Sequence, residues 1–114
     1  MTMTTNTQTQ AAGVVNMAMG TVVTNADAAT AATFNPGFVP RKIVFENLTD
    51  RIKQEWYEGM ANGAAVQTVA IGTRTLEAAT GPTLGTDAAG TATSFTMPAG
   101  TMVASKSFRW EAWG

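Results

Sequence analysis

Residues 107–113 read Ser-Phe-Arg-Trp-Glu-Ala-Trp, with Phe108, Trp110 and Ala112 in one phase of a period-two repeat and Arg109, Glu111 and Trp113 in the other. Successive side chains of a β-strand point to opposite faces, so this alternation reads as a strand with a packed side and a charged side. Residues 41–48, RKIVFENL, repeat the pattern, with Ile43 and Phe45 on one face and Lys42, Val44 and Glu46 on the other. Both strands sit in a chain punctuated by turn residues at short intervals. Asn35-Pro36-Gly37, Asn47 to Asp50, Gly59 and Gly72-Thr73 each mark a break. Short strands at such spacing specify an all-β fold: an antiparallel β-sandwich or jelly-roll-like domain.

The intervening segments are consistent with that class. Residues 65–78, AVQTVAIGTRTLEA, read as a hairpin or a kinked strand, and SFTMP (94–98) as a short strand with Phe95 and Met97 on one side. A strand is expected to begin near Ala32, and residues 80–93 form a Gly/Thr/Ala loop. Residues 50–58 are ambiguous. Asp50 can cap a helix with Lys53, Gln54 and Glu55 in its first turns, whereas Gln-Glu-Trp-Tyr-Glu alternates as a strand. The strand is preferred because Gly59 ends the run after one or two helical turns; an α+β arrangement with one helix at 50–58 is the alternative. The candidate core is Phe38, Ile43, Phe45, Trp56, Phe108 and Trp110.

The N-terminal quarter differs. Residues 1–12 are uncharged and polar, with nothing to offset ordering entropy by burial, and residues 13–25 are β-branched and Met-rich. The latter form one or two strands, or an arm that becomes a strand on a partner. The expected division is an extended Thr/Ala-rich arm over 1–32 and a β-sandwich domain over 33–114.

Charge and residue usage restrict the chemistry. The 114 residues include seven Lys and Arg, eight Asp and Glu, no His and no Cys. Thiolate chemistry, disulfides, and the commonest general base and metal ligand are thereby absent. Near-neutral charge argues against a nucleic-acid footprint, and no apolar run has the length of a membrane span. The chain is expected to be soluble and made in a cytoplasm without an export signal. Glu55 and Glu58 flank Trp56-Tyr57, but residues three apart on a strand face opposite ways, and Arg51 and Lys53 are close enough to pair with them. Ser105 and Lys106 diverge as strand neighbours, and the loops around Asp27 and Asp87 lack the ligand density of a calcium motif. Gly72-Thr-Arg lacks phosphate-loop spacing. The chain is therefore read as a non-enzyme without cofactor, catalytic group or metal site.

Eight of the fifteen charged residues fall between Arg41 and Glu58. Pro36 and Pro40 bracket the entry to that segment and fix how the chain enters its strand. Charged and aromatic groups concentrated there suit a surface that grips a neighbour. The candidate contacts to another subunit or partner are Val14, Val15, Met17, Val22, Arg41, Lys42, Glu46, Arg51 and Tyr57.

The succession GFVPRKIVFENLTDR, EWYEGM, IGTRTLEAATG and KSFRWEAW over residues 33–114 resembles small virion structural proteins of tailed bacteriophages. The resemblance implies a β-sandwich protein of the phage particle that decorates or cements the capsid exterior, bound to the major capsid protein and assembled in the host cytoplasm. It further implies a homotrimer. Tail or fibre components with similar folds are one alternative. A carbohydrate-binding module using Trp56, Tyr57 or Trp113 is the other. No nucleic-acid or membrane partner is expected.

Overall fold

A computed structural model of the chain describes residues 16–85 and 92–114. Nine strands run in order: β1 (Met17–Val23), β2 (Ala32–Phe34), β3 (Lys42–Asn47), β4 (Ile52–Tyr57), β5 (Ala65–Thr68), β6 (Arg74–Glu77), β7 (Thr83–Leu84), β8 (Phe95–Met97) and β9 (Ser107–Trp113). There is no helix among the described residues, so none that is long and apolar enough to cross a membrane. Six strands form one sheet in the order β1-β9-β3-β4-β5-β6, and three form a second, β2-β8-β7; every pairing is antiparallel.

The all-β sandwich expected from the alternation is the architecture found. Residues 52–57 form β4, as the early Gly59 implied, and residues 65–77 form the β5–β6 hairpin. Asn47 and Asp50 close the β3–β4 turn: the Asp50 N–H donates to Asn47 Oδ1 (2.9 Å) and Asn47 Nδ2 to Asp50 Oδ2 (2.9 Å). Arg51 completes this turn in the left-handed region, at φ 59°. The loop expected over 80–93 contains the two-residue strand β7.

The core is built from register. In the large sheet Phe45 lies opposite Trp110, and in the small sheet Phe34 lies opposite Phe95. The two cross-strand pairs meet between the sheets: Phe34 packs on Phe45 (5.6 Å between ring centroids) and on Trp110 (5.8 Å), and Phe95 meets Trp110 edge-on at 5.6 Å. Phe108 extends the block along the large sheet, 5.5 Å from Phe45. Such aromatic contacts add ~0.5–1.5 kcal/mol each beyond the area they bury. Ile43, Trp56, Met97, Met102 and Ala112 surround them, with Phe38 half-buried at the margin. All six core candidates from the sequence belong to this cluster. Phe34 and Met102 were not anticipated.

The boundary of the N-terminal arm is corrected. Met17–Val23 forms an edge strand of the large sheet, in register with β9 from Met17↔Trp113 to Val23↔Ser107. Thr24 then ties the strand's end to the β9 side, its hydroxyl donating to Val103 O (2.7 Å). Pairing within the chain satisfies a β-prone segment that a partner would otherwise have to satisfy, and no free arm extends over 16–32. The remainder of the expected arm, including Val14 and Val15, lies outside the described residues.

Candidate interaction face

The three-stranded sheet covers one side of the six-stranded sheet. Nothing among the described residues covers the other. Register sorts the open side into three rows crossing the strands. The first holds Met17, Trp113, Lys42 and Tyr57; the second Met19, Glu111, Val44, Glu55, Val66 and Leu76; the third Thr21, Arg109, Glu46, Lys53, Thr68 and Arg74. Four cations, Lys42, Lys53, Arg74 and Arg109, stand against three anions, Glu46, Glu55 and Glu111. The face is nearly neutral, unlike the one-signed surface that binds nucleic acid.

The ionic groups are largely paired within the face. Arg109 is bonded to Glu111, and Lys53 Nζ lies 3.3 Å from Glu55 Oε1. The Tyr57 hydroxyl donates to Glu55, and this hydrogen bond is the main cause that holds the Glu55 carboxyl below its ordinary range, with Lys53 adding to it. The same bond pushes the Tyr57 phenol up. Glu55 is thus an anion and Tyr57 a neutral donor at physiological pH. Lys42 Nζ sits 5.8 Å from the Tyr57 ring centroid, within cation–π range. At the same end of the sheet, just outside β3 and β4, Arg41 Nε lies 3.3 Å from Glu58 Oε2. Exposed pairs of this kind contribute only about 0.2–1 kcal/mol each. Their main consequence is to fix where each charge stands.

Exposed apolar groups flank the charges at the two edges of the sheet: on β1 Met19 is 59% exposed and Val23 78%, on β6 Leu76 is 76% exposed, and Ile71 at the β5–β6 turn is 89% exposed. The surface therefore combines compensated charge on its middle strands with apolar groups at its edges.

Of the candidate contacts, Met17, Lys42, Glu46 and Tyr57 meet on this open face, and Arg41 stands at its rim. Arg51 lies apart, in the β3–β4 turn. Val22 is corrected: it faces inward and packs against the core, being two residues from Gly20 on the side of β1 that looks to Phe108 and Trp110. Trp113, Arg109, Glu111 and Glu55 also stand on this face and were not among the candidates, although the alternation that turns Phe108 and Trp110 inward already turns the first three outward. Trp56, offered by the sequence as a stacking surface, is a core residue at 3% exposure. Glu55 and Glu58 are divided between two ion pairs and form no carboxylate pair.

A cavity of about 120 Å³ lies on the opposite side of the sheet, lined by Asn47, Asp50, Gln54, Gln67, Thr80 and Thr101 over the edge of Phe45. Its one carboxylate, Asp50, is paired with Lys106 Nζ at 3.0 Å. No group of three or more carboxylates converges among the described residues.

Comparison with protein-family models, curated proteins and solved structures finds no match.

Proposed function

We propose that this chain is a structural protein of a bacteriophage particle that binds the outside of the capsid in many copies and stabilises the shell, as a decoration or cement protein. The observation that carries the reading beyond the sequence resemblance is the open face of the six-stranded sheet. It is charge-compensated across its middle strands and carries exposed apolar groups on its two edge strands. Six strands about 4.8 Å apart and about 20 Å of strand length give it an area on the order of 500 Å². A stable one-to-one interface takes about 800 Å² from each partner. A face of this size holds weakly as a single contact and firmly when many copies engage a repeating lattice, where avidity multiplies modest affinities. The role is structural; the face offers shape and fixed charge rather than a reacting group.

The test is co-sedimentation of the purified chain with undecorated capsids. Binding at one or a few copies per capsid subunit is expected, and Tyr57→Ser should weaken it by about tenfold or more, since aromatic anchors dominate such contacts. Failure to bind capsids, or equal binding by the variant, overturns the reading. A stoichiometry of a few to tens per particle indicates a tail or fibre part instead. Quenching of tryptophan fluorescence by a glycan would indicate a sugar-binding surface along the Trp113–Lys42–Tyr57 row.

A further inference from the structure

Among the described residues the large sheet ends in two edges without a partner strand, and they are built differently. At one edge β6 is four residues long and carries Arg74 and Glu77, the kind of charge that protects an edge strand from pairing with another chain. At the other, β1 runs for seven residues, MAMGTVV, with no charge and no proline. No charged side chain occurs anywhere before Asp27.

The backbone of β1 is half used. Gly114 N–H donates to Asn16 O (3.0 Å), and Thr24 N–H donates to Lys106 O (2.9 Å). In an antiparallel ladder hydrogen-bonded pairs alternate, so Asn16, Ala18, Gly20, Val22 and Thr24 spend their main-chain groups on the β9 side. Met17, Met19, Thr21 and Val23 turn theirs to the open edge, where they have no backbone partner among the described residues. Four consecutive outward residues form a longer template than β6 presents.

We propose that β1 pairs antiparallel with β1 of a second copy of this chain, about a two-fold axis at Gly20. This register overlaps all seven residues. It opposes Met17 to Val23 and Met19 to Thr21 of the second copy, and each outward residue meets an outward residue. Four such pairs exchange about eight main-chain hydrogen bonds. Isologous pairing sets a strand against its own sequence, so any charge in β1 would be brought near its own copy; β1 has none. Beyond the axis, the row holding Arg109 aligns with the row holding Glu111 of the second copy, because Thr21 lies beside Arg109 and Met19 beside Glu111. These charges are about 14 Å apart, three strand spacings, so screening leaves them little energy; like rows are nonetheless never in line. At the axis itself Gly20 presents no side chain. The contact would join two six-stranded sheets into one and double the continuous open face.

The experiment is sedimentation velocity on the full chain at micromolar concentration, with no capsid present, so its outcome is independent of capsid binding. A particle of twice the chain mass is expected. Thr21→Pro removes an outward N–H without touching the β9 ladder, as proline on a solvent-facing edge position does, and should weaken the dimer at least about tenfold while near-ultraviolet circular dichroism stays native. Met19→Lys, at a well-exposed position, should do the same by placing charge on the edge; it decides the matter if the proline variant fails to fold. A monomer, the trimer implied by the sequence resemblance, or a dimer undiminished in the folded variants overturns the proposal.

Discussion

Replacing Gly20 by alanine tests the packing at the edge of the core, because two opposing effects differ in sign. The backbone at Gly20 lies outside the left-handed region, so an L-residue is permitted there. On propensity alone, alanine in place of a strand glycine stabilises by about 0.5–1 kcal/mol. Against this, a Cβ at Gly20 would stand 2.6 Å from Trp110 Nε1, 2.8 Å from Cε2 and 3.0 Å from Cζ2. The indole cannot retreat freely, since Phe34 and Phe95 hold it from the small sheet at 5.8 and 5.6 Å. Overpacking of this kind costs about 1–3 kcal/mol. The steric cost should win, leaving Gly20→Ala less stable by about 1–2 kcal/mol, or roughly 5–10 °C in Tm for a domain of this size. Urea unfolding followed by tryptophan fluorescence measures it, repeated at two protein concentrations so that any linkage to self-association is visible. In a Trp110→Phe background the smaller ring leaves room, and the same alanine should cost less than about 0.5 kcal/mol. A Gly20→Ala protein as stable as the parent, or more so, would refute the idea that glycine is there to admit the indole.

Trp110→Ala should cost ~3–5 kcal/mol by removing a large aromatic from the inter-sheet block, whereas Arg109→Ala, on the open face, should cost under about 1 kcal/mol; chemical denaturation of both checks the strand's facing. Glu55 should titrate below the ordinary carboxylate value, so its contribution to stability is present above the unfolded pKa and is lost as pH falls through the depressed folded one. For Tyr57, whose folded pKa is raised, the contribution is present below the unfolded value near 10 and is lost as pH rises through the folded one. Carbon-detected NMR titration of Tyr57→Phe should find the Glu55 pKa moved back upward. Arg51→Gly should be neutral to slightly stabilising, because glycine occupies φ 59° without the strain of about 1 kcal/mol carried by other residues; Arg51→Val should lower Tm. Deleting residues 1–25 removes an integral strand and should destabilise the body, as thermal melts would record.

The strands that could be read from the sequence are those whose alternation is strong. In β3 and β9 large apolar groups take every second place, so the fold class and the core set Ile43, Phe45, Phe108 and Trp110 followed directly. Alternation says which residues share a face; it is silent about which strand lies beside which. The pairing of β1 with β9 was illegible for that reason, and with it the inward position of Val22. Phe34 was hidden because it stands alone in an Ala/Thr/Asn stretch, and its importance arises only when Phe95 is placed opposite it. Asn47 and Gln54 are buried polar residues at inward places. Asn47 is satisfied by the turn it closes, and the Gln54 amide donates to Gln67 and Thr80. The open face was half-legible. Lys42, Glu46 and Tyr57 were singled out by their local charge and aromatic content, while their neighbours Arg109, Glu111 and Trp113 lie more than fifty positions away and join them only through register.

Strand β9 lies between β1 and β3, so two strands far earlier in the sequence both require it. Met17 must wait for Trp113 and Lys42 for the same residue. Loop closure over such separations is costly, and folds dominated by distant pairings form slowly. β3 and β4 can meet as a local hairpin, but the six-stranded sheet cannot close until Ser107–Trp113 is in place. A chain that stops short of Ser107 loses the strand that seats β1 and joins it to β3. Without β9 neither the register of Met17 with Trp113 nor that of Lys42 with Trp113 exists, and the rows of the open face lose their central member.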